Sequence, residues 1–182
     1  MDMVYTCSYQ SPLGGITLAS DGSALIGLWF DGQKYYADAI TGKAQKKQRL
    51  PVFEEAAKWL DLYFSGKDPD FTPPILMQTS AFRKAVWEIM LDIPYGKTMT
   101  YGEIADRIAQ QRGIAKMSVQ AVGGAVGHNA ISLIIPCHRV VGTNGSLTGY
   151  AGGLEKKAWL LEHEGVELTR EQLFVPKKGT AL

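Results

Sequence analysis

The stretch Ile135–Val141, which reads I-P-C-H-R-V-V, places a cysteine between a proline and a histidine at the end of an apolar run. Pro136 restricts the residue before it to extended geometry and removes one backbone donor. We therefore expect the apolar run to end in a fixed turn that presents Cys137. A thiol is a good nucleophile only as a thiolate, and the neighbouring imidazole of His138 can accept its proton. Two interpretations compete at this point: an inert buried cysteine and a reactive one.

A reactive cysteine–histidine pair needs a third group that orients the imidazole. The last predicted helix carries three carboxylates that could reach it, Glu155, Glu162 and Glu164, and the residues alone do not choose among them. Because adjacent residues of a strand point to opposite faces, contact between Cys137 and His138 requires a turn or a bridging water.

Metal binding is the other use of cysteine and histidine. The chain has two cysteines and three histidines, with no C-x-x-C pair and no H-x-x-x-H pair. Structural zinc sites need four closely spaced ligands. We therefore expect no metal and no cofactor, and two cysteines that form no disulfide.

Composition bounds the class of protein. The 182 residues are 46% hydrophobic, which is enough for packed cores, and no stretch approaches 18 uninterrupted apolar residues. The first ten residues do not resemble a signal peptide, so we expect a cytoplasmic protein that does not enter a membrane. Residues 1–79 carry seven basic and nine acidic side chains, and residues 80–182 carry twelve and nine, which favours an anionic partner for the second half.

The first half has the pattern of a small α/β domain. Three short β-rich runs separated by turns within residues 1–30 predict an antiparallel meander. Residues 31–50 are polar and predict a loop with some helix, and residues 51–66 predict a helix that begins at a proline. Its apolar face is predicted to comprise Phe53, Ala56, Ala57, Leu60 and Phe64. Prolines between residues 69 and 74 predict a domain boundary at about 70–79.

The second half has the pattern of helices joined by tight turns. Thr100 and Glu103 have the spacing of a capping box at the start of one helix, which should end near Gly113. The next helix begins at Ser118, and the short connection between the two fits a helix-turn-helix. A last helix is predicted from Leu154 to Gly165.

The second helix of this pair, from Ser118 to His128, has small residues and no lysine or arginine. A helix with its side chains is about 10–12 Å wide, whereas the minor groove of DNA is about 6 Å wide. A helix of small residues could enter a widened minor groove. The alternative is that Gly123, Gly124 and Gly127 allow close packing against another helix, since each glycine costs about 1 kcal/mol relative to alanine.

These motifs together resemble a known family. I-P-C-H-R-V-V, the preceding A-V-G-G-A-V-G-H-N and the downstream T-G-Y-A-G-G and L-L-E-H-E-G are similar to segments of the O6-alkylguanine-DNA alkyltransferases, also called methylated-DNA–protein-cysteine methyltransferases. The resemblance implies a ribonuclease-H-like α/β domain at 1–75, with an antiparallel meander plus helix. It also implies a mostly helical domain with a winged-helix-like helix-turn-helix at 80–170, followed by a tail at 171–182.

The resemblance assigns roles to individual residues. Cys137 would accept the alkyl group, His138 would be its water-linked base, Glu164 would orient that base, Asn129 would hold the active-site backbone, and Tyr101 would donate to N3 of the leaving guanine. Substrate-binding residues would be Val140, Tyr150 and Ala151, the last through its backbone N–H. DNA-binding residues would be Ser118, Gln120, Ala121, Gly124 and Arg139, with Gln120 at a position where many members have arginine.

The expected function is direct reversal of O6-alkylguanine, and of O4-alkylthymine, in double-stranded DNA. The protein would act as a monomer, bind the minor groove, flip the base and transfer the alkyl group irreversibly to Cys137. One alternative is a protein that binds alkylated bases without repairing them, but such relatives lack the cysteine. A second alternative is a thiol hydrolase that uses Cys137, His138 and Glu164.

Overall fold

The computed structural model describes residues 3–37, 40, 44–47 and 49–169. The chain forms two compact units, Met1–Gln78 with Ala130–Ile134, and Thr79–Asn129 with Ile135–Leu182. The change of unit after Gln78 falls in the segment where the prolines predict a boundary. Ala130–Ile134, which the sequence assigned to the second domain, groups with the first. The predicted tail at 171–182 lies outside the described residues.

The first unit contains a four-stranded sheet in the order β3-β2-β1-β4. The strands β1 (Val4–Ser11), β2 (Gly14–Ser20) and β3 (Leu25–Phe30) pair antiparallel in sequence order, which confirms the predicted meander. The fourth strand, β4 (Ala44–Lys46), pairs parallel with β1. The prediction of loop and helix for residues 31–50 missed this strand, because its three exposed residues, Ala44, Gln45 and Lys46, carry no alternating pattern.

The outer edge of β3 is covered by two other segments of the same unit. The backbone N–H of Leu25 donates to the carbonyl of Pro74 at 2.8 Å, and that of Leu28 donates to Ala130 at 2.8 Å. Ser132 returns a hydrogen bond to the carbonyl of Leu28 at 3.0 Å. An exposed strand edge invites pairing with other chains, so these segments protect the sheet.

Helix α1 (Pro51–Phe64) completes this unit, with Pro51 in its first turn. Its buried residues are Val52, Phe53, Ala56, Trp59, Leu60 and Tyr63. The predicted apolar face was therefore wrong at Ala57 and Phe64, which are half-buried. The large rings of Trp59 and Tyr63, which the predicted face did not include, stack with their centroids 5.3 Å apart on the buried side of the helix.

The second unit is mainly helical. Its elements are α2 (Ala81–Leu91), β5 (Met99–Thr100), α3 (Tyr101–Arg112), α4 (Val119–Gly127), β6 (Val140–Val141) and α5 (Leu154–His163). The two short strands β5 and β6 pair in parallel.

The predicted start and end signals of α3 and the predicted start of α4 are confirmed. Thr100 accepts from the backbone of Glu103, and the side chain of Glu103 accepts from the backbone of Thr100, as a capping box requires. Gly113 ends α3 in left-handed geometry at φ 63°, and the side chain of Ser118 caps α4 by accepting from the backbone N–H of Ala121.

Within the described residues, no helix combines the length and the apolar character needed to cross a lipid bilayer.

Candidate active site around Cys137

Pro136 lies at the centre of a tight turn that presents Cys137. Its φ of −82° and ψ of 69° are those of an inverse γ-turn. The backbone N–H of Cys137 donates across this turn to the carbonyl of Ile135 at 2.8 Å. The same carbonyl accepts from Nδ2 of Asn129 at 2.8 Å. Asn129 therefore ties the backbone of this turn to the end of α4 through its side-chain amide.

Cys137 begins a single 3-10 turn, Cys137–Arg139, and is only 5% exposed. Its neighbours form a narrow pocket within the second unit. The pocket is lined by Tyr101, Val126, Gly127, Asn129, Cys137, Gly149, Tyr150 and Ala151. The start of α3, the end of α4 and the loop at 149–151 thus bring the predicted residues Tyr101, Asn129 and Tyr150 to the pocket of Cys137.

His138 is fully buried, and its Nε2 contacts Oε2 of Glu164. A carboxylate only accepts hydrogen bonds, so Nε2 carries the proton and Nδ1 is the basic nitrogen. Burial lowers the pKa of His138, against the opposite influence of Glu164, so the imidazole is neutral near pH 7. The structure also decides among the three candidate carboxylates, because Glu155 and Glu162 are exposed.

Glu164 is held by three donors. Besides His138, Nε of Arg139 donates to Oε1 at 2.8 Å, and the backbone N–H of Gly96 donates to the same oxygen at 2.9 Å. Burial alone would raise the pKa of this carboxyl, but the hydrogen bonds and charges of His138 and Arg139 lower it to about 2. Glu164 is therefore ionised at any pH at which the protein works, and its charge is balanced by Arg139.

Arg139 does not lie where the sequence expected a DNA contact. It is 8% exposed, and its guanidinium donates to Glu164 and, at 2.7 Å, to the carbonyl of Ile93. Its guanidinium carbon also lies 5.7 Å from the centre of the Tyr95 ring. In this structure Arg139 therefore supports the histidine–carboxylate pair and does not belong to an exposed face.

Tyr101 is the first residue of α3, so the capping box at Thr100 fixes its position. Its hydroxyl donates to the carbonyl of Thr148 at 2.9 Å. Burial raises the pKa of Tyr101 to about 12. The hydrogen bond to Thr148 opposes this rise, and the negative charge of Cys137 adds to it. The phenol therefore keeps its proton and can act as a donor inside the pocket.

Of the three predicted substrate-binding residues, Val140 lies in β6, whereas Tyr150 and Ala151 lie in the loop that lines the pocket. Val140 is fully buried, and its backbone N–H donates to the carbonyl of Cys137. Tyr150 and Ala151 line the pocket. The Tyr150 hydroxyl is buried and has no hydrogen-bond partner among the described residues. Such a group is costly to bury and is available to a ligand that enters the pocket.

The predicted DNA-binding residues of α4 share one face. Ser118, Gln120 and Ala121 are exposed at the start of the helix, and Gly124 is half-buried one turn later. A Cβ atom added to Gly124 would meet nothing within 4 Å, so packing does not require glycine there. On the opposite face of α4 the residues are small and buried, and close packing accounts for them: Nε1 of Trp87 donates to the carbonyl of Ala125 at 2.8 Å.

Sequence reasoning missed two residues of the site. Gly96 has a φ of 74°, and a Cβ atom there would lie 2.9 Å from the backbone oxygen of Glu164. Lys157 is fully buried on α5, and its ammonium reaches the loop beside the pocket. A signal for Lys157 existed, because it falls at helical spacing between the apolar residues Leu154 and Leu161.

Among the described residues, no three His, Cys, Asp or Glu side chains are arranged to hold a metal ion.

Two family models match the chain. Residues 3–77 match the ribonuclease-like domain of 6-O-methylguanine DNA methyltransferase, and residues 81–166 match its DNA binding domain. The methylated-DNA–protein-cysteine methyltransferase of Haemophilus influenzae is 38% identical over 182 residues, which cover 96% of this chain and 97% of the relative. That of Mycobacterium tuberculosis is 39% identical over 165 residues, which cover 89% and 93%.

A solved structure of the Mycobacterium tuberculosis protein OGT in complex with DNA is similar in fold. Its TM-score is 0.75 at 39% identity, and the match covers 89% of this chain and 92% of that one. The methylated-DNA–protein-cysteine methyltransferase of Methanosarcina acetivorans is 39% identical over 170 residues, which cover 89% of this chain and 99% of the relative. The chain belongs to the methylated-DNA–protein-cysteine methyltransferase family.

Proposed function

We propose that this protein repairs DNA by moving the alkyl group of O6-alkylguanine to Sγ of Cys137. The observation that carries the proposal is the placement of Cys137 in a pocket, next to a neutral histidine that an ionised carboxylate holds in one tautomer. A positioned base of this kind contributes about 10²–10⁴-fold to a proton transfer. Here it draws the thiol proton away, directly or through water, and leaves a thiolate.

The transfer is a single displacement at carbon. The thiolate forms the S–C bond, the C–O6 bond breaks, and its electron pair remains on the guanine, which must gain a proton. Tyr101 supplies that proton or a hydrogen bond at N3, because its phenol is protonated and lines the pocket. In the free protein the phenol donates to Thr148, so guanine replaces this carbonyl as its acceptor.

The product explains why one protein repairs one base. A thioether is not hydrolysed in water near neutral pH, so Cys137 is not regenerated. The family name describes a transferase, and this one consumes itself in a single turnover. O4-alkylthymine has an alkyl group on an equivalent exocyclic oxygen, and we include it in the substrate range.

The pocket recognises the base through its backbone and through Tyr150. We assign recognition of the exocyclic amino group of guanine to the backbone carbonyls of Cys137 and Val140, and recognition of O6 to the N–H of Ala151. The buried hydroxyl of Tyr150 offers a further polar contact. Because an amide N–H is present whatever the side chain, alanine at 151 does not remove this contact.

The burial of Cys137 requires the base to leave the duplex, since a stacked guanine cannot reach a thiol that is 5% exposed. We assign the DNA contact to the face of α4 formed by Ser118, Gln120, Ala121 and Gly124. Small side chains and the open space beside Gly124 support a close approach in the minor groove. Gln120 occupies the space that the flipped base vacates.

The finer fold assignments belong to the same proposal. The meander with one parallel strand and a helix supports a ribonuclease-H-like first domain. The β5–β6 pair next to the α3–α4 helix-turn-helix supports a winged-helix-like second domain. A monomeric state and a cytoplasmic location stay predictions from the sequence.

Intact mass spectrometry tests the proposed function. Incubation with duplex DNA that contains O6-methylguanine should add one CH2 unit to each protein molecule, and peptide mapping should place it on Cys137. A protein that only binds alkylated bases would bind the duplex with no change of mass. Sustained turnover, or a methyl group on Cys7, would also contradict the proposal.

A further inference from the structure

Lys157 is a buried charge to which the alkyl transfer described above gives no role. Its side chain is fully buried on α5, although lysine is rarely buried without a partner. The ion pairs found among the described residues do not include it. Its ammonium instead donates to two backbone carbonyls, those of Thr148 at 3.0 Å and Gly149 at 3.1 Å.

The two carbonyls belong to the loop that supplies one wall of the pocket, namely Gly149, Tyr150 and Ala151. The carbonyl of Thr148 accepts from the Tyr101 hydroxyl as well as from Lys157. The ammonium also lies 5.9 Å from the centre of the Tyr101 ring. One cation thus holds the loop and the phenol in a common geometry, with bonds stronger than neutral ones.

The same cation acts on the sulfur. Burial lowers the pKa of Lys157 to about 8, and the negative charge of Cys137 works in the opposite direction. Because such coupling is reciprocal, the ammonium favours the thiolate form of Cys137. The titratable groups that interact with Lys157 are Tyr101 on α3 and Cys137 and His138 in the 3-10 turn.

We propose that Lys157 is a positioning residue of the alkyl transfer that acts only while it is protonated. Its ammonium holds the pocket loop against Tyr101 and stabilises the negative charge on Cys137, and loss of its proton releases both. Lys157 keeps its proton throughout the displacement, so no atom of Lys157 is exchanged. This inference rests on the proposed function of the pocket.

Protonation of Lys157 has opposite effects on stability and on transfer. Its folded-state pKa of about 8 lies below the ordinary value of 10.5. The unfolded chain therefore binds this proton more tightly, and the buried charge costs stability below about pH 8. This cost is relieved as the pH rises from 8 towards 10.5, whereas the proposed help to transfer is lost over the same range. A lysine with a purely structural role would not separate these two effects.

The test compares the full-length protein with Lys157→Met and Lys157→Arg. Single-turnover transfer from free O6-benzylguanine is followed by intact mass between about pH 6 and 10, since the Lys157 proton is lost near pH 8. The wild-type rate should rise with thiolate formation and then fall above about pH 8. Lys157→Met should be slower by about tenfold or more at neutral pH and should lack the fall, because it has no proton to lose.

Lys157→Arg keeps its charge to about pH 12, so it should retain transfer above pH 8, where the wild type declines. The matched control is Lys156→Met, which removes a cation from the adjacent position of the same helix and should keep the wild-type profile. A thermal melt of each variant accompanies the rates, and Lys157→Met should lose no more stability than the control while losing transfer.

Alkylation of Cys137 by iodoacetamide separates this inference from the proposed function, because it needs no alkylguanine. Its pH midpoint should be higher in Lys157→Met than in the wild type. An unchanged midpoint with an unchanged transfer profile would overturn the role of Lys157, as would a slower transfer that only follows a lower melting temperature. If Lys157→Met does not fold, a wild-type profile with no decline above pH 8 overturns it equally. A wild type that never gains alkyl mass would instead refute the proposed function.

Discussion

The two cysteines of the chain are buried to nearly the same degree and differ in everything else. Cys7 is 8% exposed and Cys137 is 5% exposed. Cys7 lies in β1 opposite Leu18 of β2, and burial raises its pKa to about 11. At neutral pH it is therefore a thiol with negligible nucleophilic character.

Cys137 has a base, a cation and a phenol close to it. His138 follows it in the 3-10 turn, the charge of Lys157 is coupled to it, and Tyr101 lines the same pocket. Burial by itself disfavours a thiolate, whereas burial among such partners strengthens their effect, because interactions between charges grow in a low dielectric. The difference between the cysteines teaches that reactivity is set by the neighbours of a thiol and not by its exposure.

The largest effect should come from exchanging sulfur for oxygen at each site. Cys137→Ser should abolish alkyl transfer, because a serine hydroxyl remains protonated near neutral pH. Cys7→Ser should transfer at the wild-type rate. Both variants are incubated with O6-methylguanine DNA, and the mass gain per molecule is measured. Transfer that persists in Cys137→Ser, or stops in Cys7→Ser, would break the contrast between the two sites.

A smaller effect should follow from removing the charge that orients His138. Glu164→Gln should slow transfer by about 10²-fold, at the lower end of what a positioned base contributes. The rising limb of its pH profile, which reports formation of the Cys137 thiolate, should move to higher pH. Without the anion that stabilises its protonated form, the imidazole of His138 is a weaker base for the thiol proton. Single-turnover rates across pH measure both changes.

The matched control for this prediction is Glu162→Gln, an exposed carboxylate two residues earlier in the chain. It should keep the wild-type rate and profile. Equal behaviour of the two glutamine variants would mean that Glu164 does not act through His138. Iodoacetamide reactivity of Cys7 should be the same in both, since neither carboxylate influences its pKa.

An intermediate effect is expected at Gly96, whose N–H binds Glu164. Gly96 and Gly113 both have positive φ, at 74° and 63°, so alanine should cost each about 1–2 kcal/mol of unfolding free energy. Only at Gly96 would the new Cβ approach the backbone of Glu164, at 2.9 Å, while at Gly113 it meets nothing within 4 Å. Gly96→Ala should therefore slow transfer several-fold, and Gly113→Ala should not.

Chemical denaturation and single-turnover rates of these two variants decide the point. A loss of stability alone, equal in both, would show that Gly96 serves the turn and not the carboxylate. A selective loss of transfer in Gly96→Ala would sharpen the contrast between the cysteines, because it would extend the support of Cys137 to a backbone amide.

The smallest effect should come from Gln120, which acts on delivery of the base and not on the thiol. Flipping a guanine costs a few kcal/mol, and Gln120→Arg adds a longer, charged side chain for the vacated space and nearby phosphates. It should speed repair of duplex O6-methylguanine a few-fold at low salt and leave the reaction with free O6-benzylguanine unchanged. Equal effects on both substrates would place Gln120 outside the flipping step.

Local signals predicted much of the fold. The meander, the capping box at Thr100 and the helix end at Gly113 depend on neighbouring residues, and all are confirmed. Strand β4 was missed because its pairing with β1 is non-local and its residues are exposed. Three of the five residues predicted for the apolar face of α1 are buried, namely Phe53, Ala56 and Leu60, but the pattern left out the buried aromatic residues Trp59 and Tyr63.

The site was predictable where a motif carried it and not elsewhere. The resemblance supplied His138 and Glu164, and the structure joins them. Arg139 and Gly96 depend on long-range contacts with Glu164 that no spacing in the sequence shows, whereas the helical spacing of Lys157 indicated its burial but not its contact with Thr148. A charged residue in a motif or on a helix is usually solvated, so burial of Arg139 and Lys157 could not be inferred from residue type.

The segment Ala130–Ile134 has a consequence for the order in which the protein is made. It covers part of the edge of β3, yet it begins at Ala130, 100 positions after that strand ends at Phe30. A ribosome adds roughly 5–20 residues per second, so the part of this edge at Leu28 stays uncovered for several seconds after the strand is made, whereas the part at Leu25 is covered earlier by the Pro74 segment. The amino-terminal part is thus not a module that finishes first, and a gene cut after Gln78 would encode a sheet whose edge keeps the Pro74 segment but lacks the one that pairs with Leu28.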